Sequence, residues 1–137
     1  CPDIVVCNLG VNDSCVYMGE IGSLERPPVE KGLFRRQYID LLMDFGKGKR
    51  CPKFIIWTRL GPTGKSHRLK GKPNAVLMEP DLKSVAAAVN ATTLDMLSPL
   101  LPFVETSHFA ADGIHPEGGA QHVIAEVTAC AIRRLSN

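Results

Sequence analysis

At 137 residues, with 45% hydrophobic and 22% charged side chains, the chain suits one soluble globular domain and excludes a disordered or two-domain reading. A formal net charge of +2 is too mild to signal nucleic acid as a partner, and no apolar run approaches membrane-spanning length. Five cysteines (Cys1, Cys7, Cys15, Cys51, Cys130) form no Cys-x-x-Cys pair and no compact framework, so neither a disulfide scaffold nor a zinc site is signalled, and the compartment stays open.

In chain order, Ile4-Val5-Val6-Cys7-Asn8-Leu9 is a short β-branched run between a proline and a glycine, the pattern of a strand covered on both faces. It starts by residue 4 with no initiator methionine before it, so the chain reads as a fragment. The stretch Cys15 to Pro28, with Gly19, Gly22, Pro27 and Pro28, predicts a loop over one end of the sheet. From Val29 to Phe45 the residues Leu33, Phe34, Tyr38, Leu41, Leu42 and Phe45 recur at helical spacing, and Gly46 to Arg50 supplies a glycine stop with cations at the helix C-terminus.

Phe54-Ile55-Ile56-Trp57-Thr58 predicts a second buried strand, followed by a Gly-, Pro- and Lys-rich loop from Leu60 to Pro80. Leu82, Val85, Ala86, Val89, Leu94 and Leu97 predict a helix interrupted near Thr92-Thr93, and Phe103-Val104-Glu105-Thr106 a short third strand. Ala120, Val123, Ile124, Val127, Ala131 and Leu135 stripe a last helix with Arg133 and Arg134 at its end. Alternating strands and helices imply an α/β fold with a parallel sheet, here three strands and three helices of a larger domain. The unpaired apolar edge of the first strand predicts association with the missing half or with itself.

The stretch richest in chemistry is Asp112-Gly113-Ile114-His115-Pro116. An acid three residues before a histidine, on a glycine-containing turn that feeds a helix, lets a carboxylate hold Nδ1–H and leaves Nε2 free to take a proton. The competing reading is an aspartate that only satisfies backbone amides before a helix. Ligands in parallel sheets bind beyond the carboxyl ends of the strands, and Gly10 to Asp13 and Asp112 to His115 each follow a predicted strand there.

Pro2 to Asp13, ending in Gly10-Val11-Asn12-Asp13, resembles the strand and Gly-x-Asn-Asp block of the SGNH, or GDSL, hydrolase superfamily. Asp112 to Pro116, with the small residues that open the last helix, resembles its Asp-x-x-His block. The resemblance implies a flavodoxin-like, three-layer α/β/α domain and a serine ester hydrolase of the esterase or lipase/acylhydrolase kind. His115 would be the base and Asp112 its orienting acid, with the Asn12 amide a donor to the oxyanion hole. Gly10, Asp13 and His108 would border the substrate. No metal or cofactor would be required. The substrate would be a small-molecule, lipid or carbohydrate ester, and family analogy favours a secreted or periplasmic location. A turn residue that caps its own loop is the competing reading of Asn12.

The family's Gly-Asp-Ser block is absent, and Ser14, Ser23, Ser66, Ser84, Ser98, Ser107 and Ser136 lack its context. The chain therefore reads as the C-terminal portion of the domain, inactive alone, with the nucleophile supplied by a part outside it. The rival is a non-catalytic α/β module that binds a ligand or partner on the same rim. Arg59, Lys65, Arg68, Lys70 and Lys72, with no acid among them, suggest anionic or polyhydroxylated ligands or simply a solvated loop. Gly61-Pro62-Thr63-Gly64-Lys65-Ser66 has two residues between its glycines where a phosphate loop needs four, which argues against nucleotide.

Overall fold

The computed structural model describes residues 2–10, 32–47, 51–59, 61, 75–113 and 115–136. They form a three-stranded parallel sheet with four helices: β1 (Ile4–Cys7), α1 (Leu33–Phe45), β2 (Lys53–Arg59), α2 (Ala75–Ala88), β3 (Thr92–Asp95), a one-turn α3 (Leu97–Leu100) and α4 (Gly118–Ser136). The sheet order is β1-β2-β3. Ile4 faces Lys53 in the β1–β2 register, and Ile55 faces Thr92 in the β2–β3 register.

β2 is central and buried because its run is apolar on both faces, with Ile55 and Ile56 wholly covered. Phe54 and Ile56, alternating with Ile55 and Trp57, pack with Phe34, Tyr38 and Leu42 of α1 and Met78, Leu82 and Val85 of α2. A second cluster gathers Met96 and Leu100 with Ala120, Val123, Ile124 and Val127 of α4, and Trp57, Leu94 and Phe103 complete it.

Four expectations are corrected. α2 begins at Ala75, inside the loop expected from Leu60 to Pro80, and the described helices number four where three were expected. The third strand is Thr92–Asp95, within what the periodicity made a helix, and Phe103 to Thr106 is not a strand. α2 stops because Asn90 takes the left-handed conformation at φ 51°, while Ala91 N–H donates to Ala86 O at 2.8 Å and Asn90 N–H to Ala87 O at 3.3 Å. That paired closure ends a helix outright, and the β-branched Thr92 and Thr93 then enter the sheet beside Ile55 and Ile56. Further on, Pro102 sets a 3-10 turn over Leu101–Phe103, and Thr106 donates both its amide and its hydroxyl to Phe103 O, at 3.0 and 2.7 Å. Local side-chain bonding of this kind holds the segment out of a ladder.

α4 runs against the strand direction. At its C-terminal end Leu135 O accepts a hydrogen bond from Lys53 Nζ, at the amino start of β2. Nineteen helical residues rise about 28 Å, enough to cross a sheet whose longest strand is about 23 Å. The start of α4, with the loop that feeds it, consequently lies toward the carboxyl ends of the strands.

Candidate functional site

Residues 108–113 and 115–117 form a tight loop at the head of α4. Ala110 N–H donates to His115 O and Glu117 N–H to His108 O, each at 2.8 Å, around an antiparallel bridge between Phe109 and Pro116. Gly113 turns the tip at φ 70°, a conformation that glycine adopts without steric cost, with its N–H bonded to Ala110 O at 2.8 Å.

This closure brings Asp112 and His115 together. Asp112 Oδ2 lies 2.6 Å from His115 Nδ1, and Asp112 Oδ1 accepts the His115 backbone N–H at 3.1 Å. One carboxylate therefore does both jobs that competed as readings: one oxygen satisfies an amide and the other holds the ring. Against a carboxylate, Nδ1 carries the proton, which leaves the Nε2 lone pair outward to accept one. The ring is 77% exposed and the carboxylate 45%.

His108 is differently employed. Its Nδ1 accepts the Gly119 N–H at 3.2 Å, and its ring meets Phe103 edge-on with centroids 5.4 Å apart. Gly118, at φ 49°, passes so close that a Cβ there would stand 2.9 Å from His108 Nδ1. A Cβ on Gly119 would stand 3.1 Å from Phe103 Cε1. The Gly118-Gly119 pair is thus the seat of an imidazole. The spacing rules read these glycines only as a small-residue helix start, because no sequence pattern signals a histidine cap eleven residues upstream.

Gly10, three residues beyond β1, is buried with φ 121°. Asn12 and Asp13 lie outside the described residues, as do Ser14, Ser23, Ser66, Lys65, Arg68, Lys70 and Lys72. Among the described residues no group of three or more His, Cys, Asp or Glu side chains is arranged to hold a metal ion. No helix among them is long and apolar enough to cross a membrane.

A second polar cluster occupies the carboxyl ends of β2 and β3. Arg59 Nη1 donates to Asp95 Oδ2 at 2.8 Å and to Ser98 Oγ at 3.1 Å, while Ser98 Oγ donates to Asp95 Oδ2 at 2.6 Å. Asp95 Oδ1 accepts the Leu97 and Ser98 amides at 2.9 and 3.1 Å. Glu79 joins Arg59 to Lys83 from α2. Burial alone pushes the Asp95 carboxyl up, but the Ser98 hydroxyl and amide and the Arg59 guanidinium more than reverse it and hold the group below its ordinary range. Asp95 falls within the predicted helix, where its spacing to Leu97 and Ser98 carried no meaning. Asp-x-x-Ser ahead of a one-turn helix was the signal available.

No protein-family model matches the chain, and comparison with curated proteins returned no match.

Proposed function

We propose that the chain carries the acid–base part of a serine ester hydrolase, an esterase or acylhydrolase of the SGNH/GDSL type. The observation that supports this reading best is the 2.6 Å pairing of His115 Nδ1 with Asp112 Oδ2 on the loop that opens α4. In the complete domain a serine hydroxyl attacks the ester carbonyl and His115 Nε2 takes its proton. Asp112 balances the imidazolium that forms, and His115 then protonates the leaving alcohol. Water repeats the cycle on the acyl-enzyme. An Asn12 side-chain amide directed at the developing oxyanion would contribute about 3 kcal/mol to lowering the barrier. His108 would belong to the frame of this site, and Gly10 and Asp13 would border the substrate.

In this reading the observed β1-β2-β3 order would be the 3-4-5 part of a five-stranded flavodoxin-like sheet of order 2-1-3-4-5, with helices on both faces. The serine-bearing strand, outside these 137 residues, would pair with the outer edge of β1. Val6 and Leu9, 39% and 44% exposed, support an apolar neighbour there. An anionic or polyhydroxylated substrate would meet the basic residues that follow Arg59, whose own guanidinium is engaged by Asp95 and Glu79.

The test is covalent labelling of the full-length protein by a fluorophosphonate. Labelling that is lost in His115→Ala is the expected result. Labelling unaffected by that substitution, or no labelling of the full-length protein at all, would overturn the hydrolase and favour a non-catalytic module that binds a ligand on the same rim.

A further inference from the structure

The loop at the head of α4 holds two histidines whose hydrogen bonds demand opposite protonation of their rings. His115 faces a carboxylate oxygen at 2.6 Å through Nδ1, so that nitrogen must donate. His108 faces a backbone N–H at 3.2 Å through the same atom, so there Nδ1 must accept and the ring proton must sit on Nε2. The two rings are joined through the backbone. Glu117 N–H bonds to His108 O and Ala110 N–H to His115 O, so the strand-like pair that frames Asp112 and His115 begins at His108.

From this we infer that His108 is a positioning residue, set to anchor the loop on α4 so that Asp112 and His115 keep their pairing. Three observations converge on it. The imidazole accepts an N–H from the first turn of α4, a group with no partner inside the helix. Gly118 and Gly119 lack side chains exactly where a Cβ would strike His108 or Phe103. Phe103 then fixes the ring's rotation from the side by an edge-to-face contact. If the anchor lets go, the tip keeps its own local hydrogen bonds but loses this side-chain tie to the first turn of α4. Asp112 and His115 are both substantially exposed, so packing around them would not keep the ring on the carboxylate.

The inference takes its catalytic meaning from the proposed hydrolase, but its test does not depend on turnover. In the full-length protein carrying nitrogen-15 histidine, long-range proton–nitrogen correlations report which ring nitrogen bears the proton, with resonances assigned from single histidine substitutions. At a pH where both rings are neutral, His115 is expected as the Nδ1–H form and His108 as the Nε2–H form. His108→Phe keeps a ring against Phe103 and removes the acceptor, so the His115 signal should move to the solvent-averaged pattern of a free imidazole. His108→Asn places an oxygen near the Nδ1 position and should restore the paired pattern. If His108 itself shows Nδ1–H, or if His115 is unchanged in His108→Phe, the inference is overturned. The wild-type spectrum alone decides the first of these, even where the substituted protein fails to fold. Failure of fluorophosphonate labelling, by contrast, would remove the hydrolase and leave the His108 result standing. Where labelling and turnover are present, His108→Phe should lower kcat by about a hundredfold with KM little changed, the signature of a misplaced base.

Discussion

Replacing Gly118 by alanine tests the seat of the candidate site in one step. At φ 49° a residue with a Cβ costs roughly 1–2 kcal/mol in backbone strain. The new methyl would stand 2.9 Å from His108 Nδ1, about 0.5 Å inside ordinary contact, so the ring must shift. Shifting it weakens the Gly119 hydrogen bond, worth about 0.5–1.5 kcal/mol, and the Phe103 edge contact, worth about as much again. Against this, alanine stiffens the unfolded chain and recovers about 0.4–1 kcal/mol. The balance is a net loss of roughly 2–3 kcal/mol, on the order of 10 °C in Tm for a domain of this size. The assay is urea or thermal unfolding followed by circular dichroism. Gly119→Ala is the internal comparison, since its Cβ meets Phe103 at a looser 3.1 Å without a left-handed backbone, and it should cost about 1 kcal/mol. Gly118→Ala within about 0.5 kcal/mol of wild type would refute the account of how the loop is seated.

Three further expectations rest on other parts of the fold. Because the Asp95 carboxyl is held below its ordinary range, its contribution is complete above the unfolded value of about 4 and is lost as pH falls through the folded value. The stability gap between wild type and Asp95→Asn in urea should therefore be wide near neutral pH and narrow progressively once the pH falls below about 4, and a gap that widens on acidification would contradict it. Burial pushes the Cys7 thiol up, partly offset by the neighbouring Tyr38 hydroxyl, whereas Cys51 is exposed. Iodoacetamide near neutral pH should accordingly modify Cys51 well before Cys7 in a peptide map, and equal rates would argue against the packing of β1 on α1. Val6, exposed on the outer strand, should drive self-association of a polypeptide made of these residues alone. Sedimentation should show Val6→Lys shifting the mass toward monomer, and a wild-type monomer that unfolds cooperatively would oppose this.

What could be read from the sequence divides by the range of the interactions involved. β2 and α1 were legible because each announces itself: five consecutive apolar or β-branched residues around Ile55 and Ile56, and a stripe through Phe34, Tyr38 and Leu42 that the structure buries. The Asp112–His115 pair was legible because its members stand three positions apart and close on their own glycine turn. β3 was not. Leu94 and Leu97 continue the period of Leu82 and Val85, and only the left-handed Asn90 breaks it, a choice of backbone angle that a period count cannot see. That misplacement also hid the rim cluster, since Asp95 and Ser98 matter only once Asp95 ends a strand beside Arg59. The His108 seat depends on two glycines meeting a ring across eleven residues, which becomes visible only in three dimensions.

The bond from Lys53 Nζ to Leu135 O joins residues 82 positions apart, whereas β2, α2 and β3 follow one another within a short span of chain. Closing a long loop is the slower event, so the β2-α2-β3 unit can assemble early and α4 settles onto it late. The imidazole–carboxylate couple rides at the leading end of that final helix. The couple itself closes locally on its glycine turn, so a nascent polypeptide would form the pair early yet bring it to the rim of the sheet only after nearly everything else had found its place.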